Sequence, residues 1–172
     1  STYGIHVKPM GTTGKVLVSW ARSSGAALRV ACCEVNGNAL TVGTSVNLTN
    51  NGLYTNVAWH TALGKGVVIF RDNLESNHAR GCVVSVSGTT ISLGTIITVK
   101  NEIPTYFDVV YHAKSGALWY VYNEPGSEDS KIIQLALITK TGKNNPIALI
   151  RGILCKIRCC CHTKVIYWMI NY

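Results

Sequence analysis

Apolar residues along this chain come in runs of strand length, broken by glycine-bearing turns. Gly64-Lys-Gly-Val-Val-Ile-Phe70 and Gly116-Ala-Leu-Trp-Tyr-Val-Tyr122 are two such runs. Asn36-Gly37 and Ser87-Gly88 each separate alternating apolar stretches. These are hairpin signals, because glycine accepts the positive φ of a tight turn. No segment carries the sustained helical spacing of apolar residues with caps. The pattern therefore predicts an all-β chain.

The pattern also repeats. Tyr54-Thr-Asn-Val-Ala-Trp-His60 returns as Tyr106-Phe-Asp-Val-Val-Tyr-His112, a spacing of 52 residues. Tyr3-Gly-Ile-His-Val-Lys8 stands 51 residues before the first of these. The second half of the unit recurs independently. Leu28 to Thr44 aligns with Ala79 to Thr95, with matching turns and a matching Gly-Thr pair at 43–44 and 94–95. A period this long, filled with short strands, points to a propeller or a similar β-repeat array.

Each unit reads as four strands, here a to d. The predicted spans are 2–8, 15–21, 27–35 and 38–48 in the first unit, and 54–60, 66–71, 79–87 and 90–99 in the second. In the third they are 105–112, 117–123, 131–139 and 146–154. A partial fourth unit is expected over 157–171, as strands 157–162 and 165–171. The expectation is one β-repeat domain over 1–172, a propeller-like array of four-stranded antiparallel units. About three and a half units do not close a ring of the usual four to eight blades or so. Further copies, or further chain if this is a fragment of a longer one, are expected to complete it. The initial Ser1, in place of Met, fits processing or a fragment.

The strand-turn-strand pieces 54–71 and 106–124 and the hairpin 80–99 resemble repeats of bacteriophage tail-fibre and virion-appendage proteins. They are similar, more loosely, to lectin-like and sialidase-like propellers. The resemblance covers residues 1–124 and weakens from 140, where strand d lacks the Gly-Thr pair. It implies a non-enzymatic structural or recognition module that binds cell-surface glycans, in a virion or outside the cell. The alternatives it leaves are a sialidase-like glycoside hydrolase and a secreted lectin.

Composition agrees with a β-protein, since charged residues are only 14% and β-branched and aromatic residues are plentiful. The net charge is +8. It sits at the ends: residues 1–33 and 130–172 carry no acid, and all eight acids lie between. Basic ends attract anions, but no nucleic-acid module signature accompanies them, so nucleic acid is not an expected partner. Apolar stretches are strand-length and broken by charge, so no membrane insertion is expected. Seven cysteines, several of them adjacent, make a poor disulfide framework. Reduced core thiols and folding in a reducing compartment are expected. Cys155, Cys159, Cys161 and His162 lack the paired spacing of structural zinc, so neither metal nor cofactor is expected.

The b-to-c and d-to-a connections are the long, polar ones, and in a propeller they share one face. Loops on a rigid scaffold are where binding residues gather. Arg22, Asn50, Arg71, Asp72, Asn73 and Glu124 are the candidate ligand-binding residues, with arginine able to grip a carboxylate bidentately. Trp20, Phe70 and Tyr122 recur late in strand b, and Trp59 and Tyr111 late in strand a. Recurrence in every unit favours core packing over sugar stacking. His60, His112 and His162 recur beside the a-to-b turn and read as turn caps. No catalytic set is expected. The acids form no certified pair of the kind a glycosidase needs, and the turns between strands c and d lack the sialidase Asp box. Ser-His-Asp order, a P-loop and a dinucleotide fingerprint are also missing.

Overall fold

The computed structural model describes residues 4–22, 26–104, 106–123, 130–138, 148–150 and 154–157. Among them are fifteen strands and no helix. The first antiparallel sheet holds β1 (Ile5–Pro9), β2 (Lys15–Ala21), β3 (Leu28–Asn36), β4 (Ala39–Val42) and β5 (Val46–Thr49). The second holds β6 (Gly52–His60), β7 (Lys65–Asp72), β8 (His78–Ser87), β9 (Thr90–Leu93) and β10 (Ile97–Lys100). The third holds β11 (Phe107–His112), β12 (Ala117–Asn123), β13 (Ser130–Ile138), β14 (Ala148–Ile150) and β15 (Leu154–Ile157). No sheet closes into a barrel and no ring forms among the described residues.

Each sheet has five strands where the pattern predicts four, because strand d is broken in every unit. Cys33 faces Val42 while Val30 faces Val46, so the outer strand carries one extra residue. The same step separates Val84–Leu93 from Gly81–Ile97, and Ala136–Ile150 from Ile133–Leu154. A bulge of this kind bends and twists a strand. In the first two units the glycine of the Gly-Thr pair sits at this step. Gly43 N–H donates to the Cys32 carbonyl at 2.9 Å, and Gly94 N–H to the Val83 carbonyl at 2.8 Å. A Cβ on Gly43 would collide with the Thr89 carbonyl oxygen in the next unit's turn. The glycine permits close approach of two sheets. The turns at Gly37 and Gly88 have the expected positive φ, 59° in both.

Two further adjustments concern register. Ile5, Thr55 and Phe107 pair with Trp20, Phe70 and Tyr122, so the first strand recurs after 50 residues and then 52. Tyr54 is the odd residue, at a register break with φ 43°. In the third sheet the outer strand runs to Ile157, beyond the expected end at 154. Ile157, expected to open a fourth unit, belongs there, and the rest of that partial unit lies outside the described residues.

Two apolar layers hold the sheets together. Leu17, Leu28, Val30 and Cys32 of the first sheet pack on Val57, Val68, Phe70 and Val84 of the second. Val67, Ile69 and Ala79, on the opposite face of that second sheet, pack with Val109, Leu118, Tyr120 and Tyr122 of the third. The middle sheet is thus covered on both faces, which is why the centre of β7, Val67-Val-Ile-Phe70, reads as an unbroken apolar run. Phe70 and Tyr122 are fully buried, as core anchors should be. Tyr120 stacks on Tyr122 with centroids 5.1 Å apart. Polar side chains also link the sheets: Thr55 Oγ1 donates to Ser19 Oγ at 2.9 Å in the first layer.

Cys32, Cys33 and Cys82 are buried free thiols. Burial pushes the Cys82 thiol up to about 12, and raises Cys32 and Cys33. The thiolate is the reactive form. At pH 8, Cys82 should therefore resist iodoacetamide in the native protein and react once the chain is unfolded in urea, as read by peptide mass mapping.

Phe70→Ala should cost about 3–5 kcal/mol, the range for emptying an aromatic site in a packed core. Urea titration followed by tryptophan fluorescence measures it. Leu74→Ala, on an exposed loop residue, should shift stability by no more than ~0.5 kcal/mol.

Candidate functional site

The loops after β5 and β7 meet at one end of the second sheet. Asn73 N–H donates to the Asn51 carbonyl at 2.9 Å, and the Asn73 amide donates to Asn51 Oδ1 at 3.1 Å. Asp72 ties the two loops. Its Oδ1 accepts from Thr49 Oγ1 at 3.0 Å and from Leu74 N–H at 3.2 Å. Its Oδ2 accepts from the Arg80 guanidinium at 3.3 Å, which also lies 3.5 Å from Glu75. A buried carboxylate keeps its charge only with such partners. Asp72 is consequently a brace, buried beneath the loop surface.

Above the brace, Arg71 donates twice to Asn77 Oδ1, from Nε at 3.2 Å and from a terminal nitrogen at 2.9 Å. Asn77 adopts φ 62° to reach it, and Ser76 before it has φ 56°. Asparagine and serine tolerate this region better than branched residues. The held guanidinium lies over the Tyr54 ring, 6.0 Å from its centroid, within cation–π range. Tyr54 itself is at the exposed rim, turned out by the bulge that sets its φ to 43°. Tyr106 precedes β11 as Tyr54 precedes Thr55, and is 76% exposed.

The six candidate residues divide accordingly. Arg71, Asp72 and Asn73 are brought together, with Asn50 on the adjoining loop, its Oδ1 2.6 Å from the Asn47 amide nitrogen. Arg22 is exposed at the end of β2, away from this loop pair in sequence. Glu124 lies outside the described residues. Tyr54 and Tyr106 are further candidates, outside those six. Their signal was present: a tyrosine just before the apolar run of strand a, where the alternation has not begun.

A second polar group lies on the first strands. His6 pairs with Ser19, Asn56 with Ile69 and Asp108 with Val121, which makes the three residues register equivalents. The Asn56 amide donates to Asp108 Oδ1 at 2.7 Å and to the Phe107 carbonyl at 3.4 Å. Asn56 Oδ1 and Asp108 Oδ1 each accept the next residue's N–H, from Val57 at 2.9 Å and Val109 at 2.8 Å. Desolvation lowers the His6 pKa below its ordinary 6.5. Asp108 opposes that shift and Lys8 adds to it.

The repeated histidines cap turns, as expected. His60 Nδ1 accepts Leu63 N–H and His112 Nδ1 accepts Ser115 N–H, both at 3.3 Å. The His60 ring also packs against Tyr111, with centroids 4.3 Å apart and planes tilted by 32°. His162 lies outside the described residues. No group of three or more His, Cys, Asp or Glu side chains placed to hold a metal ion occurs among the described residues. Comparison with family models, with curated proteins and with solved structures finds no match for the chain.

The lowered His6 pKa has a pH consequence. The unfolded chain takes up a proton near 6.5 before the folded chain does. Stability is thus retained above pH 6.5 and falls as pH drops through the folded value. His6→Gln should flatten that decline, measured as the urea midpoint from pH 7.5 to 5, and an NMR titration should place His6 below 6.5.

Proposed function

We propose that the chain is a non-enzymatic structural and recognition module whose loop end binds a cell-surface glycan, as a virion appendage or fibre component. The observation that carries this reading is the Tyr54–Arg71 platform, with Asn77 holding the guanidinium, at the loop end that also carries Asn50, Asn51 and Asn73. Carbohydrates present apolar ring faces edged by hydroxyls. An exposed tyrosine ring suits the face, and amides with a fixed guanidinium suit the hydroxyls and any carboxylate. Tyr106 offers a second aromatic surface at the same place in the next unit.

The architecture behind the reading is a propeller-type array. Its support is the packing of β6 beside both β1 and β11, so that first strands of successive sheets are neighbours, as innermost blade strands are. The polar row of His6, Asn56 and Asp108 on those strands fits a lining for a central channel. Carboxylates among the described residues are committed to structural partners: Asp72 to Arg80, Glu75 to Arg80, Asp108 to Asn56, Glu34 to Lys15 and Glu102 to Lys100. That supports recognition over hydrolysis.

A glycan array tests the proposal. Binding should be retained without turnover, and Tyr54→Ala and Arg71→Ala should each weaken it roughly tenfold, the scale of one lost aromatic or charge-assisted contact. Asp72→Asn should lower stability first, because Asp72 braces the loops. Release of a reducing sugar from any bound glycan would replace recognition with hydrolysis.

A further inference from the structure

The three sheets stack by one rule, and among the described residues the rule leaves two faces without a sheet. In each interface the face bearing the buried aromatic of the second strand lies against the opposite face of the preceding sheet. Phe70 and Val68 meet Leu17 and Val30, and Tyr122 and Tyr120 meet Val67 and Ile69. The first of these faces is here termed X and the second Y. Both observed interfaces are X on Y.

Among the described residues, the first sheet has no sheet on its X face. By register, Val7 stands where Val57 stands, Trp20 where Phe70 stands, and Leu40 and Val42 where Ile91 and Leu93 stand. Val57, Phe70 and Ile91 are buried in the layer between the first two sheets. Val7 is 52% and Val42 62% exposed, with Ile5 and Leu40 open beside them. At the other end the Y face of the third sheet is also uncovered in part. Val110 is 48% exposed where its equivalent Ala58 is buried, and Trp119 is half-buried where Val67 is fully buried. On the X face these exposed residues lie on the outer strands, either side of half-buried Val16, Val18 and Trp20 and of buried Ala31 and Cys33. Exposed apolar residues on a sheet face mark an interaction surface.

We propose that the X face of the first sheet docks on the Y face of the third sheet of a second copy of this chain, head to tail. The occupant follows from the packing already present: X meets Y twice within the chain, and the two open faces are one X and one Y of the same register. Such a contact joins unlike patches, so it builds a ring if the rotation closes and a filament if it does not. It does not depend on the glycan reading.

The test is analytical ultracentrifugation of the 172-residue chain and of paired variants. The unaltered chain should sediment as a species larger than 18.6 kDa. Val42→Lys on the X face and Val110→Lys on the Y face should each weaken assembly by at least ~100-fold, the order for burying an unpaired charge in an apolar contact. Both sites are exposed within one chain, so circular dichroism and Tm should stay unchanged. Val7→Lys is a second X-face variant. Mixing the X-face and Y-face variants should restore a dimer of unlike chains, because each keeps one intact face. A stable 18.6 kDa monomer of the unaltered chain overturns the proposal. So does full assembly of the Val110→Lys variant alone, which would mean that X pairs with X or that something other than the Y face covers it.

Discussion

The structure depends on the double burial of the middle sheet. Residues 67–70 are buried on successive sides of β7, with Val68 and Phe70 in one layer and Val67 and Ile69 in the other. A strand covered on both faces loses the alternation of a half-exposed strand and becomes a continuous apolar run. Its backbone is then fully committed to β6 and β8, since buried amides must be paired. The flanking sheets lack this arrangement. β2 alternates between buried and half-buried residues, and its open side is where the exposed apolar residues lie.

The stacking also explains the small irregularities. The bulge in every outer strand twists it enough for neighbouring sheets to approach, and at Gly43 the approach is too close for a Cβ. The turn histidine serves two neighbours at once. His60 holds its own turn through Leu63 and packs, tilted, against Tyr111 of the next sheet. In the first unit Met10 occupies that place, and its carbonyl takes the Thr13 hydroxyl instead. Cys32 Sγ lies 3.7 Å from Met10 Sδ, a sulfur contact within the first sheet.

At the loop end, the structural brace and the proposed recognition platform use different residues. Asp72 is spent on holding two loops, and Arg80 on holding Asp72. That leaves Arg71 free of the brace, and Asn77 fixes it above Tyr54. A guanidinium already ordered in this way loses little further freedom when a ligand arrives. Three residues at positive φ, Tyr54, Ser76 and Asn77, lie at this loop end.

The repeat, the strand class, the turn positions and the core role of Phe70 and Tyr122 were legible in the sequence, because side-chain period and turn chemistry are local properties. So was the capping role of His60 and His112, since a residue fixed beside a recurring turn has few other duties. Tertiary structure decided the rest. It alone decides which acid is buried: Asp72 and Glu75 look alike in sequence, yet only Asp72 falls between two loops. The bulge that turns Tyr54 outward depends on pairing between β6 and β7. That Trp20 is half-exposed while its equivalents are buried depends on which sheet lies in front of it, and no periodicity along a chain records what packs across its face.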